Sequence, residues 1–572
     1  MKATAQASVP AGFGLRAAGL SIGGLLGYGA IWAFMAVFLI YPLLHLFYDA
    51  FTAEGGEFTL ANFRDFFTDR FYLRALGNSI LLGVGTVVTT SLIGVTFAFL
   101  LLRYEFPGRR LFTYLSIVPM IMPPLVGVMG FVFILGRGGT VNILLMDYLG
   151  FAKPINFMYG VHGVLIVETL HLFPLMTLSI VDAMSKISPS LDEAAESVGA
   201  RGFRKFWDIT FPLTTPGYVS GALLVFIWTF ADFATPLVVG VDDLLASQAY
   251  LNIVQFVDRR LFKMGIVISA IMVLLAILFL MVAKKYVSIK DYSSLSYSVI
   301  ERKTLPLLAK AGVVCFLGLI LILAFIPYLG IALDAFGKGW ALTPFPVRYT
   351  LQYFERVAFE TPKFILNSLL YAGISVLICI AVGVPIAWVG ARTRLPGREV
   401  LDSLTTLILA LPGTGIGIAY MRAFRDPLPG IEVAFIGLWL VIPVVLGVRR
   451  LPYTVRGTYA SLQIVHRSYE EAGESVGATR ARTFGDITLP LIWKGVLVGS
   501  LYSFILALQE ASATLLLVVP GHEMMTVGIF NFYIGGSVNE AAALGFILIL
   551  LGAACLLAIH RLTGTRMGGV FG

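Results

Sequence analysis

The chain has 572 residues, of which 58% are hydrophobic and 13% charged, with a mean hydropathy of +0.88. That is more apolar surface than a water-soluble domain buries, which excludes a soluble enzyme or scaffold and points to an all-α integral membrane protein. The formal charge of +8 is scattered among loops and forms no basic face for nucleic acid, and Cys315, Cys379 and Cys555 stand singly in apolar runs, against a disulfide framework or a zinc site.

A spanning helix needs about 20 mostly apolar residues. On that measure the first half predicts spans at Leu25 to Tyr48, Ser79 to Leu102, Leu111 to Leu135, Val161 to Ile180, Tyr218 to Val239 and Gly265 to Val282. The second half predicts Leu305 to Leu333, Ser368 to Val389, Leu404 to Tyr420, Val433 to Val448, Val496 to Val519 and Ala541 to Ile559, about twelve in all. The first run is too long for a cleaved signal peptide and reads as a retained helix. Most of the 41 Lys and Arg residues fall on the side of the N-terminus, which the positive-inside rule makes cytoplasmic, with the C-terminus beside it.

The two halves repeat one another. Glu193 to Gly217 reads EAAESVGARGFRKFWDITFPLTTPG and Glu471 to Gly495 reads EAGESVGATRARTFGDITLPLIWKG, an offset of 471 − 193 = 278. Asn78-Ser79 and Asn367-Ser368, and RYEFPGRR and RTRLPGRE at Arg103 and Arg392, share an offset of 392 − 103 = 289. An even number of spans per half makes this a parallel repeat about an axis along the membrane normal, unlike the inverted repeats of many secondary transporters. The expected layout is residues 1–285 with a polar loop at 190–213, a cytoplasmic linker at 286–304, and residues 305–572 with the equivalent loop at 468–491.

Each polar loop carries helix punctuation. Ser190 with Glu193, and Ser468 with Glu471, have capping-box spacing. Gly199 and Gly477 stand where a helix terminator with positive φ belongs, and basic residues including Arg204 and Arg482 follow. The run Glu193, Ala194, Ala195, Gly199, Ile209, Pro212, and its partner Glu471, Ala472, Gly473, Gly477, Ile487, Pro490, resembles the EAA loop of permease subunits in bacterial ABC importers; Gly473 departs from the pattern but stays small. Two loops on one chain resemble the fused iron(III)-type permeases and their relatives for thiamine and 2-aminoethylphosphonate. That resemblance implies a type I importer fold and docking of each loop on a copy of a separate cytoplasmic ATPase. It also implies a periplasmic binding protein that delivers substrate. The chain has no G-x-x-x-x-G-K-[ST] phosphate loop, so ATP and Mg are expected on the ATPase and no cofactor or catalytic residue here.

Charged groups inside a membrane are functional candidates. Asp232 and Glu510 are one repeat apart (510 − 232 = 278) and are expected to face a shared pathway or to bond unwound backbone in their own halves. Glu168 and His171 share a helix face at i, i+3. Pro123 and Pro124, and Pro412 in the other half, interrupt matching spans and are gate candidates, with a packing kink as the alternative. The resulting expectation is a non-catalytic permease of the bacterial inner membrane that imports ferric iron. 2-Aminoethylphosphonate, thiamine or a polyamine stand as alternative cargoes, and an ion-coupled secondary transporter as the distant alternative.

Overall fold

A computed structural model of the chain describes residues 22–53, 55–255, 257–289, 302–340, 343–427 and 432–563, without the side chains of residues 22, 23, 189, 192, 193, 203, 288, 289 and 563. Most of the expected linker (290–301) and the side chain of Glu193 thus lie outside the described residues. The fold is all-α. In the first half the main helices are α1 (Gly24–Ala50), α2 (Arg70–Arg103), α3 (Pro124–Leu135), α4 (Val161–Ser185), α5 (Pro189–Ser197), α6 (Phe211–Ala231) and α7 (Arg259–Ile289). The second half has α8 (Leu307–Phe336), α9 (Lys363–Arg392), α10 (Arg398–Ala410), α11 (Gly413–Ala423), α12 (Val441–Ile464), α13 (Ser468–Ser475), α14 (Leu489–Leu508) and α15 (Val538–Thr563).

Among the described residues, 10 helices are long and apolar enough to cross a membrane, and 11 if α10 and α11, bent by 111° at Leu411-Pro412, form one broken span. The expected count of twelve is not reached on apolarity. The missing member is α12, whose Arg449, Arg450 and Arg456 lower its hydropathy although it packs between α9 and α14. Apolar length alone ends the tenth span at Val448, before the arginines; the helix continues through them to Ile464.

The first span of each half reaches across to the other half. α8 packs on α3, and the end of α1 packs on α11. The α3–α8 crossing is so close that a Cβ on Gly330 would lie 2.2 Å from the Gly130 carbonyl oxygen, and one on Gly130 2.2 Å from that of Pro327. Here glycine sets the distance between helices, as small residues do where helices approach in lipid. On the other side Tyr41 donates its hydroxyl to the Ala423 carbonyl at 3.2 Å and Tyr420 donates to that of Phe38. One hydrophobic core therefore runs through both halves.

The repeated Asn-Ser pair also has a structural task. Asn78 bonds Asp243 (2.7 Å) and Ser79 accepts from the Leu245 amide (2.8 Å), while Asn367 bonds the carbonyls of Gly521 and Glu523 and Ser368 accepts from the Met525 amide (2.7 Å). In both halves the second span thus ties down the loop helix that follows the interrupted fifth span.

Candidate functional site

The two polar loops form matching helix–turn–helix elements. α5 ends at Gly199 (φ +83) and α13 at Gly477 (φ +89), and in each the amide beyond the glycine closes back on the helix: Ala200 on the Ala195 carbonyl (3.0 Å) and Ala478 on that of Gly473 (3.1 Å). This is the glycine-terminated cap expected at both sites.

The helix starts differ from the expectation. Ser188, not Ser190, caps α5, accepting from the Ser190 amide at 3.3 Å, because Pro189 takes the first helical position and moves the start upstream. At the equivalent position of α13 stands His466, whose Nδ1 contacts the Ser468 amide (3.3 Å) and hydroxyl (2.8 Å). Ser468 is therefore the first helical residue and not the cap, and Glu471 lies 3.7 Å from Arg467 instead of bonding back to the start.

Each loop helix packs one face inward and offers another to solvent. Ala195 and Gly473 are the buried counterparts. A Cβ on Gly473 would lie 2.7 Å from Ile487 Cδ1, so an alanine there would require that side-chain end to shift. Leu191 and Val198, seven residues apart and so on one face, match Tyr469 and Val476 in the second copy. Val198 and Val476 are 81% and 85% exposed, so each loop presents an unpartnered apolar spot at its tip. These four residues escaped the sequence reading, although the repeat offset marks them. Ala194 and Ala472 sit within their helices, whereas Arg204 and Arg482 belong to the following segment, each in an i, i+4 ion pair with Asp208 (3.4 Å) or Asp486 (3.2 Å).

The first loop is also tied to the start of the second half. Tyr104-Glu105 pairs in parallel with Lys303-Thr304, and Lys303 and Lys205 reach Glu196 at 2.6 and 3.1 Å. The Lys303 hydrogen bond, followed by that of Lys205, holds the Glu196 carboxyl down to about 2. Glu474, the equivalent residue, faces Arg480 at 3.6 Å.

A cavity of about 140 Å³ lies between the halves on the repeat axis, lined by equivalent pairs that include Pro124 and Gly413, His171 and Arg449, Ala231 and Gln509, and Asp232 and Glu510. Both acidic residues follow a helix break. Asp232 follows α6 and accepts from the amides of Ala234 (3.0 Å) and Thr235 (3.3 Å). Glu510 lies just beyond α14 and accepts from that of Ala513 (3.1 Å). Each carboxylate therefore satisfies unwound backbone in its own half and also lines the cavity.

Their partners differ between halves. Glu168, accepting from Thr229 at 3.3 Å, and His171 line the cavity together with Asp232. Glu510 instead sits between two guanidiniums, with Arg449 on one oxygen and Arg450 on the other. A symmetric pair of carboxylates is thus not what the cavity holds: one side is acidic, the other carries one carboxylate and two cations. Position 171 of the first half corresponds to Arg449, whereas Glu168 corresponds to Leu446, so the second half keeps a polar residue at only one of the two places. Gly413 leaves room for this, since a Cβ there would lie 2.6 Å from Arg449. Among the described residues no group of three or more His, Cys, Asp or Glu is arranged to hold a metal ion.

The proline break of the first half is held by side chains from three helices. His171 Nδ1 lies 3.1 Å from the Pro119 carbonyl oxygen, Tyr328 donates to that of Val118 at 2.7 Å, and Gln509 donates to that of Ile121. Three carbonyls of the broken stretch are in this way satisfied within the protein, the condition for a broken helix in a membrane. Pro123 and Pro412 take the same extended conformation at equivalent helix starts, and Pro124 lines the cavity. Toward the polar loops a smaller cavity of about 50 Å³ is ringed by four equivalent pairs: Met120 and Leu409, Leu175 and Tyr453, Leu224 and Tyr502, and Trp228 and Leu506. Trp228, Leu409, Tyr453 and Leu506 border both cavities and separate them.

Residues 90–289 and 367–569 each match the family described as binding-protein-dependent transport system inner membrane component, and the chain belongs to it. It is a fused two-repeat permease of the ABC-importer class. The ferric transport system permease protein FbpB of Actinobacillus pleuropneumoniae is 27% identical over 92% of this chain and 76% of its own length. The spermidine/putrescine transport system permease protein PotB of Haemophilus influenzae is 29% identical over 43% of this chain and 88% of its own. A solved bacterial ABC transporter involved in the import of the acidic polysaccharide alginate aligns with 46% of this chain and 96% of that one, at 15% identity and a TM-score of 0.36.

Proposed function

We propose that this chain is the membrane unit of an ATP-driven importer that moves ferric iron, delivered by a periplasmic binding protein, into the cytoplasm. The observation that carries the iron reading is the similarity to a ferric transport permease over 92% of the chain, both halves included. Two copies of a cytoplasmic ATPase, which hold the ATP and Mg, dock on the loops at 190–213 and 468–491. Leu191 and Val198, and Tyr469 and Val476, enter their grooves, while Gly199 and Gly477 stop the helices at the length that fits. Both termini are cytoplasmic, in the inner membrane of a bacterium.

On this reading the cavity between Asp232 and Glu510 is a waypoint on the transport path. The ring of Trp228, Leu409, Tyr453 and Leu506 is its inner closure, opened when the ATPases move the coupling loops apart and the halves rock about the α3–α8 and α1–α11 contacts. The proline breaks at Pro123, Pro124 and Pro412 hold the cavity wall in shape. In proteoliposomes containing the permease, its ATPase and its binding protein, iron-loaded binding protein is expected to stimulate ATP hydrolysis and radioiron uptake. Stimulation by another ligand alone would reject iron as the cargo.

A further inference from the structure

The central cavity is built from repeated residues yet is electrically lopsided. On one side stand Asp232 and Glu168; on the other, His171 and Leu172 of the first half are replaced by Arg449 and Arg450, with Glu510 between them. One carboxylate offsets one guanidinium, so the second-half side keeps one uncompensated cation. Its donors are also in excess. Each guanidinium has five N–H groups, whereas Arg450 gives one side-chain hydrogen bond, to Glu510, and its buried Nε has no acceptor among the described residues. Buried N–H groups without acceptors are costly, and charge in a membrane is more so.

A bare cation would sit well against Asp232 and Glu168 but would be repelled by the arginine pair and leave its donors unmet. An oxyanion meets both needs, because planar guanidiniums match carboxylate and phosphate oxygens. We propose that the cavity is a transit site for a substrate carrying an oxyanion together with a cationic centre. Arg449 and Arg450 take the oxyanion, and Asp232 with Glu168 faces the positive centre. This rests on the cavity being on the transport path, as read above, and adds that a ferric ion crosses with an oxyanion ligand still attached. A small zwitterionic oxyanion presents the same chemistry.

The repeat supplies the test. The double substitution Arg449→His with Arg450→Leu copies the first-half residues into the second half and removes two positive charges. The full complex is reconstituted and offered iron as ferric phosphate or ferric citrate, with metal and oxyanion carrying separate labels. In the wild type both labels are expected to enter together, and in the double variant, compared at equal membrane insertion, both fall by about tenfold or more, as loss of a charge-assisted hydrogen bond implies. Arg449→Lys with Arg450→Lys, which keeps the charge, retains more uptake than the His/Leu variant.

Iron entering without its oxyanion, or uptake by the His/Leu variant equal to or above wild type, overturns the inference and leaves the iron reading intact. Entry of labelled 2-aminoethylphosphonate but not iron, lost in the His/Leu variant, rejects the iron reading and upholds this one. The wild-type double-label measurement needs no variant, so a folding defect cannot leave the question open.

Discussion

His171 and Arg449 occupy the same place in the two halves, 449 − 171 = 278 residues apart, and line one cavity from opposite sides. One lies 3.1 Å from the carbonyl of a proline-broken span; the other lies against Glu510. The duplication thus provides a symmetric frame, and substitution at equivalent positions makes its centre asymmetric.

The exposed valines are expected to be docking residues. Val198→Asp with Val476→Asp places a charge at the exposed tip of each polar loop without touching the folded core. Co-purification of the ATPase should fall by about tenfold or more, since a buried apolar anchor contributes upward of 1 kcal/mol. Membrane insertion should match wild type, and an unchanged yield of complex would remove these residues from the interface.

The helix crossing between α3 and α8 is expected to tolerate no side chain. Gly330→Val must displace the Gly130 backbone, which costs about 1 to 3 kcal/mol or more by the usual scale of overpacking. Gly318→Val on the same helix meets nothing within 4 Å. Thermal unfolding in detergent should separate the two, with Gly330→Val melting well below both Gly318→Val and the parent.

The start of α5 discriminates between two serines. Ser188→Ala removes the cap and should destabilise that loop by about 1 kcal/mol, whereas Ser190→Ala leaves the cap acceptor in place. Protease sensitivity of the loop should rise for the first substitution and stay near wild type for the second.

The link from Glu196 to Lys303 has a defined pH response. Its carboxyl is held below its usual 4.5, to about 2, by Lys303 and then Lys205. A depressed carboxyl contributes stability that is complete above the unfolded value and is lost as pH falls through the folded one. The distance between spin labels at Ser197 and Thr304 should therefore stay constant from neutral pH to about 4.5 and lengthen as pH falls toward about 2. Glu196→Gln should lengthen it at neutral pH and abolish the acid response. Because both partners are solvent-exposed, added salt should weaken the link in the parent.

Much of this architecture was legible in the chain itself. Hydropathy exposes the membrane class, and the glycine terminators at Gly199 and Gly477 follow from residue type because positive φ strains other residues. The loops were found by their repetition. Other features depend on contacts that sequence distance hides. Arg449 and Arg450 looked like loop residues because a ruler of apolar length ends a span at the first charge. Their helix persists because Glu510, 510 − 450 = 60 residues later, meets them inside. The cap at Ser188 was missed because the capping-box spacing from Ser190 is equally good on paper, and Pro189 decides between them. The cross-half packing of α1 and α8 has no local signal beyond glycines such as Gly130 and Gly330, whose neighbours come from the other half.

The central claim is that force enters through the two coupling loops and is passed to the membrane helices. Gly199→Pro with Gly477→Pro removes the positive φ at both helix ends, and uptake by the complete complex in proteoliposomes measures the consequence directly. The account predicts normal insertion, loss of ATP-driven uptake, and ATP hydrolysis that no longer responds to the loaded binding protein. Uptake at the wild-type rate in the double variant would contradict it.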